Sequence, residues 1–109
     1  MQERRRFERV PYFCRLTVEP LPSGPASEAY AVDIGLGGVG IASTQRLEVG
    51  QAIAITFHLN VGGSPATERT IGEIRNIRFE EGANRVGVEF RGPLDRSLNP
   101  LLVKVIERI

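Results

Sequence analysis

Arg4, Arg5, Arg6 and Arg9 crowd the first nine residues of a chain whose formal net charge is only +1. Arginine is used almost to the exclusion of lysine, Lys104 being the one lysine among 14 basic residues. A guanidinium presents planar, forked donors that pair two at a time with a phosphate or with the acceptor edge of guanine. Its flat face also stacks on a base, and an ammonium does neither. The cluster therefore points to a clamp for an anion or a nucleotide. It fits a solvated, poorly ordered basic arm equally well, and the cluster alone leaves both readings open.

A second group of residues could do chemistry with it. Gly35-Leu36-Gly37-Gly38-Val39-Gly40 spells G-x-G-x-x-G behind an expected strand. In a dinucleotide-binding fold that run must open a helix within a βαβ unit, with an acidic residue about 20 positions further on. Here it leads into Val39 and Ile41 and then Leu47-Glu48-Val49-Gly50, too short for a crossover helix. The informative residue is Asp33, at the entrance of the turn. Its carboxylate can accept from the N–H edge of a base or cap the amides of its own turn, and the glycines allow positive φ or a close approach to the backbone.

The remaining reactive side chains stand alone. His58 has no second histidine and no cysteine pair at metal-ligand spacing. Cys14 reads as a strand residue rather than a nucleophile, Glu80-Glu81 before Gly82 as a solvated turn, and Phe7 and Tyr12-Phe13 as packing for the arm or as a stacking surface. No nucleophile, base and oxyanion set assembles, so no enzyme, metal or cofactor is expected.

The elements that position these residues are mostly strands. Cys14–Glu19, Ala29–Ile34, Gly38–Ala42, Gln51–Leu59 and Arg85–Phe90 alternate apolar and polar residues or run apolar between turns. Glu68–Arg78 joins them, and the spacing of Ile71, Ile74 and Ile77 there implies a bend or bulge. Near the end the period changes to that of a helix. Leu98, Leu101, Leu102, Val105, Ile106 and Ile109 share one face, with Asn99 as N-cap and Pro100 in the first turn. Six short strands with turns between them indicate a closed or nearly closed antiparallel barrel, and the helical stripe is expected to cover its open end or face, with self-association second. At 109 residues the chain fits one domain able to bury a core unaided. The single cysteine suits a reducing, cytoplasmic setting, and no apolar run is long enough for membrane insertion.

Taken together, the arginines and the Asp-Gly turn resemble the PilZ domain family, cyclic di-GMP receptors of bacteria. The family motif R-R-x-x-x-R is met by Arg4, Arg5 and Arg9. Its D/N-x-S-x-x-G motif is met by Asp33 and Gly38, with Gly35 where the family has serine. Val86-Gly87-Val88-Glu89-Phe90 is similar to the family's G-V-x-F strand ending. The resemblance implies a mainly β fold, a six-stranded antiparallel barrel with a C-terminal α-helix. It implies a ligand arm at 1–12, a barrel at 13–91 and a helix at 97–109. It also implies a ligand site at Arg4, Arg5, Arg9, Asp33, Gly35 and Gly38.

By that resemblance Arg5 and Arg9 bind phosphate and the guanine acceptor edges, Arg4 adds a stacking surface, and Asp33 accepts from guanine N1–H and N2–H. Gly38 keeps the turn shallow, and Arg6 is exposed without a role. Gly35 lacks the serine hydroxyl, so binding is expected to be weaker, and Gly35→Ser to tighten it. The expected partners are cyclic di-GMP and an unidentified downstream protein. One alternative is a degenerate PilZ domain that acts as a protein-interaction module without ligand. A nucleic-acid polymer as partner is disfavoured by balanced charge and 6% aromatic residues.

Overall fold

Alternating burial in the computed structural model, which describes residues 8–108, shows how the pattern folds. The strands are β1 (Val10–Pro20), β2 (Ser27–Ile34), β3 (Gly38–Ser43), β4 (Ala52–Val61), β5 (Ser64–Glu80) and β6 (Ala83–Phe90), followed by α1 (Pro100–Arg108). All neighbouring strands are antiparallel, and the sheet closes in the order β1-β2-β3-β6-β5-β4. β1 begins at Val10, so residues 10–12, expected in the arm, already belong to the barrel: Val10 and Tyr12 pack against its core.

Two tight hairpins make the long strands possible. Gly62 and Gly63 (φ 58 and 86) join β4 to β5, and Glu81 and Gly82 (φ 50 and 84) join β5 to β6. Positive φ at both central residues matches the turn twist to that of the strands. Inside, Leu16, Ile34, Ile41, Ile53, Ile55, Phe57 and Ile74 are fully buried, and Phe57 meets Phe90 edge to face at 6.5 Å. Each such side chain contributes roughly 1.5–3 kcal/mol of transfer free energy.

α1 covers this interior, inserting Leu102 and Val103. Its orientation differs from the expected stripe, since Leu98 is 77% exposed while Val103 is 4% exposed. The reason lies in β5. Glu68 is paired with the fully buried Phe57 and so shares the inner face, where its two carboxylate oxygens accept from the amides of Leu101 (2.7 Å) and Leu102 (2.9 Å). An anion at the N-terminus satisfies amides that have no intrahelical acceptor and complements the helix dipole. Asn99 does accept the first helical bond through its carbonyl, from Val103 at 3.1 Å, but its side-chain amide donates to the Arg69 carbonyl instead of capping. No helix among the described residues is long and apolar enough to cross a membrane.

Candidate functional site

Local irregularities in β2 and β5 build the outer face on which the site lies. In β2, Ala31 pairs with Ile41 and Asp33 with Gly40, so Val32 is an extra residue. Strict alternation would have turned Asp33 into the barrel. The bulge turns it outward and lets Ile34 be buried. In β5, Ile74 pairs with Val88 and Asn76 with Gly87, so Arg75 is extra and Asn76 is turned outward in the same way. This is the bend that the isoleucine spacing predicts.

The register then lines up one row across four strands: Asp33, Gly40, Gly87, Asn76. The glycines are required for space. An ideal Cβ on Gly40 would lie 2.7 Å from Asp33 Oδ1, and one on Gly87 would lie 2.7 Å from Asn76 Nδ2. The carboxylate thus lies across one glycine and the carboxamide across the next. Arg78 and Arg85, paired in the neighbouring row, flank this floor in a depression of about 420 Å³ that also includes Arg9. Glu80 accepts from Arg78 at 2.6 Å and lies 4.0 Å from Arg85. Among the described residues one carboxylate faces two guanidiniums there, an excess of positive charge.

Arg9 reaches Asp33 from the start of the chain. Its guanidinium stands 3.4 Å from Asp33 Oδ1 and 3.4 Å from the Val88 carbonyl, both at the long limit of hydrogen bonding. The two side chains remain 25% and 37% exposed. Gly35 and Gly38 lie beneath the same stretch: a Cβ on Gly35 would overlap the Glu8 carbonyl oxygen, and one on Gly38 would overlap the Val88 carbonyl and crowd the Arg9 guanidinium. Both serve close approach, because neither has positive φ. The turn's own polar groups are engaged within the protein. Gly35 donates to Gly38 at 2.9 Å, while Gly37 accepts from Phe90 and Leu36 from Leu94. Among the described residues Asp33 accepts from Arg9 and from none of the amides of its own turn.

The structure brings together Arg9, Asp33, Gly35 and Gly38. Arg4 and Arg5, like Arg6, lie outside the described residues. Gly40, Asn76, Arg78, Arg85 and Gly87 are not among the site residues expected from sequence. Gly40 was visible as the last glycine of the G-x-G-x-x-G run, and Asn76 as one of the two residues between Ile74 and Ile77 where the spacing breaks. Gly87 stands in the G-V-x-F ending, but its place beside Gly40, like those of Arg78 and Arg85, depends on β6 inserting between β3 and β5, which no local pattern announces.

A second depression, about 310 Å³ and lined by Glu73, Arg75, Glu89 and Arg91, carries two charges of each sign and is neutralised from within. There Arg75 stands 2.6 Å from Glu89 and 3.5 Å from Glu73. Of the remaining reactive residues, Cys14 is half-buried and burial pushes its thiol up to about 11, far from a reactive thiolate. His58 shares a 2.8 Å hydrogen bond with Thr17. Tyr12 packs on the core, whereas Phe13 is 71% exposed and stacks on Tyr30 with ring centroids 5.4 Å apart.

A family model, the PilZ domain, matches residues 3–108. The chain belongs to the PilZ domain family. Solved structures agree in fold with this PilZ domain. The Bacillus subtilis inhibitor of motility (MotI/DgrA) superposes with a TM-score of 0.77 at 15% identity, over 98% of this chain and 52% of that one. The PilZ domain with c-di-GMP of YcgR from Escherichia coli gives 0.71 at 17% identity, over 97% and 91%. The PilZ domain of CeSA from a cellulose-synthesizing bacterium gives 0.60 at 11%, over 93% and 96%. This PilZ domain thus spans about half the length of MotI and nearly all of the other two. No curated protein matches it in sequence.

Proposed function

We propose that this PilZ domain is a cyclic di-GMP receptor that passes ligand occupancy to a downstream protein. The observation that carries the reading is the meeting of Arg9 and Asp33 at one end of a glycine-floored depression. These residues are 24 positions apart and belong to different family motifs. The YcgR PilZ domain, similar in fold, is a structure with c-di-GMP.

Each residue has a task that its geometry permits. Arg9 offers forked donors to a phosphate or to guanine O6 and N7, and Asp33 offers acceptors to N1–H and N2–H. The partly exposed pair they form without ligand, at 3.4 Å, is worth no more than about 1 kcal/mol, so exchanging it for charged contacts to ligand costs little. Gly38 lets the Arg9 guanidinium lie against the Val88 carbonyl. Arg5 adds phosphate contacts and Arg4 a stacking surface, in keeping with the family motif. The intact Arg9–Asp33–Gly38 set favours a receptor over a ligand-free interaction module. A cytoplasmic location suits the unpaired Cys14.

Titration calorimetry with cyclic di-GMP tests this directly. Saturable binding is expected, with Arg5→Ala and Arg9→Ala each weakening it far more than Arg6→Ala. Equal effects of all three would mean a non-specific basic patch. No binding by a folded parent protein would favour the interaction module.

A further inference from the structure

Asn76 is engaged differently from the other asparagines of the chain. The side chains of Asn84 and Asn99 donate to the carbonyls of Gln45 and Arg69, and that of Asn60 accepts from Gly63. The Asn76 amide has no such partner among the described residues, although a bulge at Arg75 aims it outward and Gly87 leaves it room to lie flat. Asp33 is placed by the same two devices, a bulge at Val32 and a clearance at Gly40. Gly40 and Gly87 are directly paired, so the carboxylate and the carboxamide overlie adjacent strands. Their polar ends are roughly one inter-strand spacing apart, about 5 Å.

We infer that Asn76 is a specificity-determining residue that reads the same guanine as Asp33. The hydrogen-bonding edge of guanine presents N2–H, N1–H and O6 in a row, two donors and then an acceptor. A carboxylate has acceptors only and can satisfy the first two positions. The third needs a donor, which the Asn76 amide supplies from the adjacent strand. O6 has two lone pairs, so an arginine on the N7 side of the base and Asn76 on the N1 side do not compete. Adenine carries a ring acceptor and an exocyclic donor in place of N1–H and O6. It would set its ring nitrogen against the Asp33 carboxylate. A site built to pair specific polar groups rejects the analogue that leaves them unpaired. This inference rests on the cyclic di-GMP reading and adds to it which residue fixes base identity.

The test is the affinity of the parent, Asn76→Leu and Asn76→Asp proteins for cyclic di-GMP and for cyclic di-AMP, with unfolding temperatures measured on the free proteins. Leucine and aspartate have nearly the shape of asparagine and leave the Gly87 clearance in use, so both variants are expected to fold as the parent does. Asn76→Leu should bind cyclic di-GMP about five- to tenfold more weakly, the worth of one lost hydrogen bond. Its preference over cyclic di-AMP should narrow by the same factor. Asn76→Asp should be weaker still, because an acceptor then faces O6. Parent-like affinity and preference in both variants, with Asp33→Ala still impaired, would overturn the role of Asn76 alone. Absence of binding by the parent protein would overturn the receptor reading, and this inference with it.

Discussion

Asp33 and Glu68 are both carboxylates on barrel strands, and they do opposite work. Glu68 faces inward, and both its oxygens accept short bonds, 2.7 and 2.9 Å, from the first amides of α1. Asp33 faces outward over Gly40 and, among the described residues, has one long hydrogen bond of 3.4 Å, from Arg9. A carboxylate with both oxygens engaged by fixed backbone donors fastens one element to another. One held at the limit of hydrogen bonding by a partly exposed arginine remains available to a better donor. The difference comes from placement. The inner face of β5 has a helix end to complement, whereas the outer face of β2 at Asp33 meets the Arg9 side chain of the incoming chain.

That contrast makes a pair of opposed predictions, and they carry the largest expected effects. Asp33→Ala should weaken cyclic di-GMP binding by at least about 100-fold, because hydrogen bonds to a charged group are worth about 1.5–3 kcal/mol each. It should leave the unfolding temperature nearly unchanged, because an exposed ion pair contributes little. Glu68→Ala should do the reverse. Two helix amides left without acceptors cost about 2 kcal/mol, a fall on the order of 10 °C in a domain of this size, with ligand affinity preserved in the folded protein. Calorimetric binding and thermal unfolding of the two variants measured together check both halves. If Asp33→Ala lowered stability as much as affinity, the carboxylate would be structural and the contrast would fail.

Gly40→Ala gives a smaller effect and asks whether Asp33 must lie flat. The added methyl would sit 2.7 Å from Oδ1 and 2.9 Å from Oδ2, and the carboxylate can rotate away from it. Stability should therefore change by less than about 1 kcal/mol, while affinity falls about tenfold because the acceptors no longer face the floor. Unchanged affinity would mean that the ligand meets Asp33 from another side.

How far these features could be read from sequence follows from how local each one is. The strands, the helix and the kink near Ile74 are written in short-range periodicity, and Arg9, Asp33 and Gly38 in motif spacing. The bulge at Val32 was not legible. Ala29-Tyr30-Ala31-Val32-Asp33-Ile34 reads equally well as strict alternation, which would have buried Asp33. Only the competition of Ile34 for the core decides the matter. The role of Glu68 was hidden for a related reason. A glutamate in an alternating strand reads as solvent-facing, and the helix end that it satisfies is more than thirty residues away. Asn99 looked like the cap because capping is usually local, but a carboxylate from β5 supplies that acceptor. Asn76 gained meaning only from the strand order, which sets it two strands from Gly40.

Gly35 gives the smallest expected effect and bears on the simplest expectation from sequence. Read against the family motif, it is a missing serine whose restoration should tighten binding. In the fold it is the position where the chain before β1 crosses the Asp-Gly turn, with the Glu8 carbonyl occupying the space of a Cβ and Arg9 Cγ 3.2 Å from the same point. The obstacle is backbone, so Gly35→Ser must displace the segment that carries Arg9. Two terms then oppose each other. The hydroxyl adds a hydrogen bond to ligand worth about 1 kcal/mol, and displacing Glu8 and Arg9 adds an ordering cost of similar size when the ligand draws them back. The net change in affinity should stay within about threefold, and the Arg9–Asp33 ion pair should be broken in the free protein. A gain of tenfold or more would show that the segment leaves Gly35 whenever ligand is bound. In that case the close approach of Glu8 to Gly35 would belong to the free state alone, and Arg9 would approach the ligand along a different path from the one that leads it to Asp33.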